Sequence, residues 1–160
     1  MDYIQLFTKL YEQKVNYLIC GGLAVNIYGI PRMTADIDLL VDLTAENIEK
    51  FDEVMKSLNY QPVLPIKFQS VVDEKDRKEM IKHKNLIAFS FYNPVNNIMN
   101  VDVLIDTPFQ FNELWKNKVI RKADETELYL VSVNDLIKMK EYANRVQDKQ
   151  DIIFLKKFTK

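Results

Sequence analysis

Residues 15–42 read VNYLICGGLAVNIYGIPRMTADIDLLVD and have the clearest secondary-structure pattern in the chain. The apolar run Val15–Cys20 predicts a short strand that stops at Gly21-Gly22. Leu23–Tyr28 predicts one or two turns of helix, closed by a Gly-Ile-Pro turn, and Asp36–Asp42 predicts a second strand. The three glycines of the chain all lie in this stretch. The order of strand, glycine turn, helix and strand is therefore the most informative feature of the sequence.

The rest of the chain predicts a mixed set of helices and strands. Upstream, residues 2–13 have the apolar spacing of an amphipathic helix. Downstream, the pattern predicts a helix that is capped by Thr44 and runs to about Leu58, and then a charged helical segment over 73–84. Strands Leu86–Tyr92 and Ile98–Ile105 follow, joined by a turn at 93–97, and Lys118–Lys122 and Glu127–Val131 are expected to form a hairpin. The chain then continues with a helix Val133–Ala143 capped by Ser132 and a final helix over 148–158. Pro62 and Pro65 are expected to break regular structure in the segment between 59 and 84. We expect one α+β (α/β) domain over 1–160, with a mixed sheet of about five strands flanked by helices.

Composition excludes several classes of protein. The chain has 160 residues and a net charge of −1, so it lacks the basic balance typical of proteins that bind nucleic acid through phosphates. A local basic patch would still allow RNA as a substrate. One cysteine permits no internal disulfide, and the first residues do not resemble a signal peptide. No long apolar run is present. We therefore expect a cytoplasmic protein that makes no membrane contact. With a single histidine, His83, any metal must be held by oxygen ligands.

Two carboxylates are the strongest chemical signal. Asp36 and Asp38 are two positions apart on a predicted strand, so both project from one face. Two carboxylates ~4 Å apart repel by ~1 kcal/mol in water and by ~4 kcal/mol at an effective dielectric near 20. A divalent cation such as Mg²⁺ or Mn²⁺ would offset that repulsion. A solvated strand end is the alternative interpretation of this pattern.

A third carboxylate is expected from a neighbouring strand. Asp102 lies among Val101, Val103 and Leu104, where a charge is costly without a partner. Asp106 has the same facing, but it lies at the strand end beside a proline, where an acidic residue needs no special explanation. We therefore favour Asp102 and keep Asp106 as the alternative.

Glycines and basic residues near the acids are candidate nucleotide ligands. Gly21 and Gly22 would let backbone N–H groups approach a phosphate, although such a pair is also an ordinary tight turn. Arg32 and Thr34 precede the aspartates and could contact a triphosphate. In the late helical segment, Lys138, Lys140 and Arg145 project away from the apolar face, and we favour Lys140 as the one that reaches the triphosphate; a solvated charged face is the alternative.

These elements together resemble the nucleotidyltransferase superfamily, which has the DNA polymerase β-like fold. The matching elements are GG-x6-G-x2-R-x-T-x-D-I-D from Gly21 to Asp38 and V-D-V-L at 101–104. The late segment D-L-x-x-x-K-x-x-A-x-R-x-x-D-x-x-D-I, from Asp135 to Ile152, is similar to small bacterial nucleotidyltransferases related to the toxins of abortive-infection, type IV toxin–antitoxin systems. Many members of the superfamily place serine where Gly22 stands, which leaves only backbone N–H groups for phosphate contact here.

The resemblance implies a function as well as a fold. Asp36 and Asp38 would bind Mg²⁺ or Mn²⁺, Asp102 would complete the site and help activate an acceptor hydroxyl, and Gly21 and Gly22 would cradle the triphosphate with Lys140 nearby. The expected substrates are an NTP such as ATP and an acceptor that could be tRNA, another RNA, a protein or a small molecule. A cognate antitoxin is the partner that the subgroup implies.

Two other functions compete with this expectation. One is a non-catalytic module of the same fold that holds a nucleotide or a partner. The other is an antibiotic-modifying nucleotidyltransferase, which would need an acidic cleft for a polycationic drug. Residues 124–127, DETE, could supply such acids, although a hairpin turn explains them more simply.

Overall fold

The computed structural model describes residues 3–95 and 99–158, which form seven helices, two 3-10 turns and seven strands. The helices are α1 (Tyr3–Glu12), α2 (Gly21–Ile27), α3 (Ala45–Ser57), α4 (Glu74–Lys84), α5 (Phe111–Lys116), α6 (Val133–Ala143) and α7 (Val146–Leu155), with 3-10 turns at Phe68–Val71 and Lys156–Phe158. The strands are β1 (Tyr17–Ile19), β2 (Asp36–Val41), β3 (Gln61–Pro62), β4 (Ala88–Tyr92), β5 (Asn100–Leu104), β6 (Val119–Ala123) and β7 (Thr126–Leu130). Within these ranges no helix has the length and apolar character needed to cross a bilayer.

The strands form one mixed sheet in the order β3-β4-β5-β2-β1-β7-β6. The pairs β2–β5 and β1–β7 are parallel, and the other neighbouring pairs are antiparallel. This architecture confirms the predicted α+β class with helices flanking a mixed sheet. The predicted strand number is wrong, because the sheet in the described residues has seven strands rather than about five.

The segment between residues 59 and 84 contains a strand that was not predicted. Gln61 and Pro62 pair with Tyr92 and Phe91 to form β3 at the edge of the sheet. An edge strand tolerates proline, because an edge position does not require a donated N–H from every residue. Pro62 is therefore compatible with a strand at the edge of the sheet. The predicted charged helix follows as α4.

Several helix ends match the predictions and others differ. Helix α6 has the predicted bounds, and the Ser132 side chain accepts a hydrogen bond from the Asp135 N–H, as expected of an N-cap. Thr44 precedes α3, but its side chain makes no capping hydrogen bond. Helix α2 begins at Gly21 itself rather than at Leu23. The predicted start of the first helix at residue 2 and the predicted turn and strand start at residues 96–98 lie outside the described residues.

One face of the sheet packs on an aromatic core. Phe89 and Phe91 of β4 contact Phe68 of the first 3-10 turn, and Phe91 also contacts Phe51 of α3. Phe51 and Phe68 contact each other with ring centroids 5.3 Å apart, and all four rings are almost fully buried. This cluster holds α3 and the first 3-10 turn against β4.

The opposite face of β4, β5 and β2 is more open. Residues alternate between buried and half-exposed along β2 up to Leu39 and along most of β4 and β5. The buried set includes Ile37, Val101 and Val103, which point into the core. The alternate positions therefore form an open surface in the middle of the sheet.

Candidate active site

Three carboxylates lie on this open surface, which we call the acidic face. Asp36 and Asp38 are half-exposed on β2, while Ile37 and Leu39 between and after them are fully buried. Strands β2 and β5 run parallel with Asp38 directly opposite Asp102 and Asp36 opposite Asn100. Because paired positions in register share a face, the structure brings Asp102 beside both β2 aspartates. Asp106 lies beyond the end of β5 and is exposed.

The charges on the acidic face repel one another. Burial and then the neighbouring charge of Asp102 raise the pKa of Asp38, while a hydrogen bond from the Gly22 backbone and the charge of Arg145 oppose the rise. Burial and the charge of Asp102 likewise raise the pKa of Asp36. A group of acids that destabilise one another in the folded state is typical of a functional site rather than of a structural ion pair.

The donor set fits a hard divalent cation. Carboxylate oxygens are the ligands that Mg²⁺ and Mn²⁺ prefer, and a cation would relieve the repulsion that raises the two pKa values. The carboxylates are not drawn together in advance: within residues 3–95 and 99–158, no three acidic, histidine or cysteine side chains form a ready-made metal cluster. The Asp38 carboxylate instead accepts the Gly22 amide hydrogen bond. We conclude that the residues fit such an ion by donor type and charge, without forming a closed site.

The raised pKa of Asp36 predicts a pH-dependent stability difference. A raised pKa means that ionisation costs the folded state free energy, so the wild type loses stability as the pH rises from 3.8, the ordinary value, through the raised pKa. At pH 7 we therefore expect Asp36→Asn to melt at a higher temperature than the wild type. Below the ordinary pKa, where both proteins are neutral at this position, the difference should shrink. Thermal melts across this pH range test the expectation, and a pH-independent difference would contradict it.

The glycine turn is in contact with the acidic face. Gly21 is the first residue of α2, and its φ of +59° is a left-handed conformation that side chains other than glycine rarely adopt. A Cβ at this position would lie 1.8 Å from Oδ2 of Asp38. The missing side chain of Gly21 therefore makes room for the Asp38 carboxylate.

Gly22 is closely packed for a different reason. A Cβ there would lie 2.7 Å from the Thr34 hydroxyl oxygen and 3.2 Å from Cζ of Arg32. The Thr34 hydroxyl donates a hydrogen bond to the Asp36 carbonyl oxygen at 3.1 Å, which holds it in place. The space that a serine side chain would need at position 22 is thus taken by Thr34, which accounts for glycine in this chain.

The basic residues are held by carboxylates of α7. Lys140 is buried, and its Nζ lies 3.2 Å from Asp148 and 2.7 Å from Asp151. Arg32 pairs with the same Oδ2 of Asp151, and Arg145 donates from Nε to Asp148 at 2.9 Å. We call these five residues the ion network. Arg32 and Lys140 are thus paired within the protein, and their contact with a nucleotide stays a prediction.

A cleft of about 460 Å³ lies beside the acidic face. Its charged lining residues are Asp38, Asp106, Lys140 and Arg145, and Gly21 lines it as well. The remaining wall is largely apolar, with Phe109 and Tyr142 in edge-to-face contact at 6.0 Å between centroids. This volume is in the usual range for small-molecule sites. The sequence did not predict that Arg145 or an apolar wall would line the site. The i, i+3 spacing of Arg145, Asp148 and Asp151 is the pattern that could have indicated an ion pair at Arg145.

Solved structures share this architecture. The antibiotic-resistance factor ANT(2″)-Ia, solved in complex with adenylyl-2″-tobramycin, superposes with a TM-score of 0.60 at 12% identity, covering 98% of this chain and 87% of its own. A Thermotoga maritima protein assigned as a nucleotidyltransferase has a TM-score of 0.56 at 14% identity, covering 99% of this chain and 92% of its own. A nucleotidyltransferase-like protein from Paracoccidioides brasiliensis has a TM-score of 0.57 at 18% identity, covering 96% of this chain and 75% of its own.

Sequence comparisons add nothing to this result, because no protein-family model and no curated protein matches the chain. At these identities the structural likeness establishes the fold alone. The chain therefore has the nucleotidyltransferase fold.

Proposed function

We propose that this protein is a metal-dependent nucleotidyltransferase that moves an NMP group from an NTP to a hydroxyl of an acceptor. The observation that carries the proposal is the placement of Asp38 directly opposite Asp102, with Asp36 on the same face of the sheet. The nucleotidyltransferase fold supports the same function by analogy.

The reaction conserves atoms and charge in one displacement. The acceptor oxygen forms a bond to the α-phosphorus while the bond from that phosphorus to the bridging oxygen breaks, and the electron pair leaves with pyrophosphate. Asp102 is the proposed base that takes the hydroxyl proton, since it lies between buried valines and faces the other two acids. Asp36 and Asp38 would hold Mg²⁺ or Mn²⁺, which supplies Lewis-acid stabilisation of the phosphate charge when bound.

The sequence predicts Gly21, Gly22, Arg32, Thr34 and Lys140 as nucleotide-binding residues, and we keep Gly21, Gly22 and Thr34 in the proposed site. The backbone at Gly21 and Gly22 is next to the Asp38 carboxylate, so a phosphate bound there would be beside the acids. Thr34 and Arg32 pack directly over Gly22. Lys140 lines the cleft, although its charge is shared with two carboxylates.

Substitutions at the two candidate third acids test the proposal. We expect Asp102→Asn to reduce pyrophosphate release by about 100-fold or more, since a positioned base typically contributes that much. Asp106→Asn, matched in chemistry, should lose less activity, about tenfold at most, because Asp106 lines the cleft but lies beyond the end of β5 and is not paired in register with Asp38. Pyrophosphate release would be followed with each NTP and a cell extract as the source of acceptor. Equal activity of Asp102→Asn and wild type would overturn the assignment.

The acceptor class is the finer part of the proposal. The late-segment resemblance supports RNA, tRNA or protein as acceptor and an antitoxin as partner. An antibiotic acceptor is less favoured, since the acids of 124–127 lie at the β6–β7 hairpin and do not line the cleft. NTP binding without transfer to any acceptor would instead support the non-catalytic module.

A further inference from the structure

The ion network carries more positive than negative charge. Its cations are Arg32, Lys140 and Arg145, and its carboxylates are Asp148 and Asp151. Within the ion network two carboxylates cannot neutralise three cations, so one positive charge is left to interact with groups outside it, among them Asp38. The position of that charge decides where this side of the cleft attracts an anion.

Lys140 and Arg32 are poor candidates for the surplus charge. The Lys140 side chain is 3% exposed, and both carboxylates of the ion network contact its Nζ. Arg32 contacts Asp151, does not line the cleft, and lines a separate groove with Gln147, Gln150 and Phe154. Moving either cation to a ligand would take one of two cationic partners from a buried carboxylate, which is costly.

Arg145 has the properties that the other two lack. Its side chain is 70% exposed, and it lines the cleft together with Gly21 and Asp38. Asp148 engages its Nε at 2.9 Å, and no described residue accepts a hydrogen bond from either terminal nitrogen of the guanidinium group. The two terminal nitrogens are therefore available to a ligand.

The base of this side chain is held in position. Arg145 is the N-cap residue of α7, and its backbone N–H donates to the same Asp148 oxygen at 3.1 Å. A side chain fixed at both its backbone and its Nε loses less freedom when it binds a ligand. Arg145 lines the cleft, and its two terminal nitrogens are the part of the guanidinium group that Asp148 does not engage.

We propose that Arg145, rather than Lys140, is the side chain that binds the triphosphate of the nucleotide in the cleft. The proposal rests on the nucleotidyltransferase function proposed above. A guanidinium group with two free nitrogens matches two phosphate oxygens, whereas an ammonium group shared by two carboxylates does not. Lys140 is then a positioning residue, which joins α6 to the two acids of α7.

Titration calorimetry with inorganic tripolyphosphate, and with each of four NTPs in Mg²⁺ buffer, tests this assignment. We expect Arg145→Gln to weaken the affinity for both kinds of ligand by roughly 10- to 100-fold, the usual range for lost charge-assisted hydrogen bonds. Lys149→Gln is the matched control, since Lys149 is exposed on the same helix and does not line the cleft. It should stay within about twofold of wild type.

Asp148→Asn separates phosphate binding from a structural role. This variant removes the carboxylate that holds Arg145 but keeps the cation, so it should lose less triphosphate affinity than Arg145→Gln if Arg145 binds phosphate. Wild-type affinity in Arg145→Gln, or an equal loss in Asp148→Asn, would overturn the proposal and leave the nucleotidyltransferase function standing. Failure of the wild-type protein to bind any of the probes would overturn both.

Discussion

Asp38→Asn is expected to remain folded, to melt above the wild type at pH 7 and to transfer nucleotide at least about 10³-fold more slowly. The activity falls because the substitution removes a negative oxygen ligand from the centre of the acidic face. The stability rises because burial and Asp102 raise the pKa of Asp38, so its ionised form costs the folded protein free energy at neutral pH. An amide oxygen can still accept the Gly22 hydrogen bond.

Thermal melts and initial rates measure the two effects in the same samples. Asp42→Asn is the matched control, because Asp42 directly follows β2 and accepts a hydrogen bond from the Thr44 N–H at 3.3 Å outside the acidic face. It should keep its activity. Turnover of Asp38→Asn equal to that of the wild type would show that Asp38 has no part in the chemistry.

Gly21→Ala should lose both stability and activity. The left-handed φ of +59° costs an alanine about 1–2 kcal/mol, and the new Cβ would lie 1.8 Å from Oδ2 of Asp38. Asp38 must therefore move, and we expect transfer to fall by roughly 100-fold or more, as it does when catalytic groups are misplaced by about 1 Å.

Gly29→Ala separates the effect of backbone strain from the effect of a clash with Asp38. Gly29 has a φ of +92°, but a Cβ there would meet no heavy atom within 4 Å. This variant should lose stability through the backbone alone and keep its activity. If Gly21→Ala retained as much activity as Gly29→Ala, close packing against Asp38 would not matter for function.

The spacing of apolar residues predicted the strands and helices that are long enough to show a repeating pattern. The alternation in DIDLLVD predicted β2 and the facing of its acids, and helix α6 was predicted to the residue. Strand β3 was missed because its two residues show no alternation and exist as a strand only through pairing with β4. Helix α5 was missed because six residues are too few for a helical period; it is held by buried Leu114 and by Phe111 stacked on Trp115.

The candidate site was predictable where it depends on strand register. Asp102 was placed by its apolar neighbours, and the parallel pairing of β2 and β5 sets it opposite Asp38. The pairing of Lys140 could not be predicted, because its partners lie 8 and 11 positions away across a helix–helix turn. That turn depends on Asn144 in a left-handed conformation with φ of +50°, which returns α7 along α6.

Nucleotidyl transfer can be distinguished from phosphoryl transfer with NTPs that carry the radiolabel on the α- or the γ-phosphate. The wild-type protein would be incubated with each of them, a divalent cation and total cell extract, and label in RNA and in protein would be counted. Nucleotidyl transfer predicts that the α-label enters the acceptor while the γ-label is released as pyrophosphate. Transfer of the γ-label, or of neither label to any acceptor, would contradict the account.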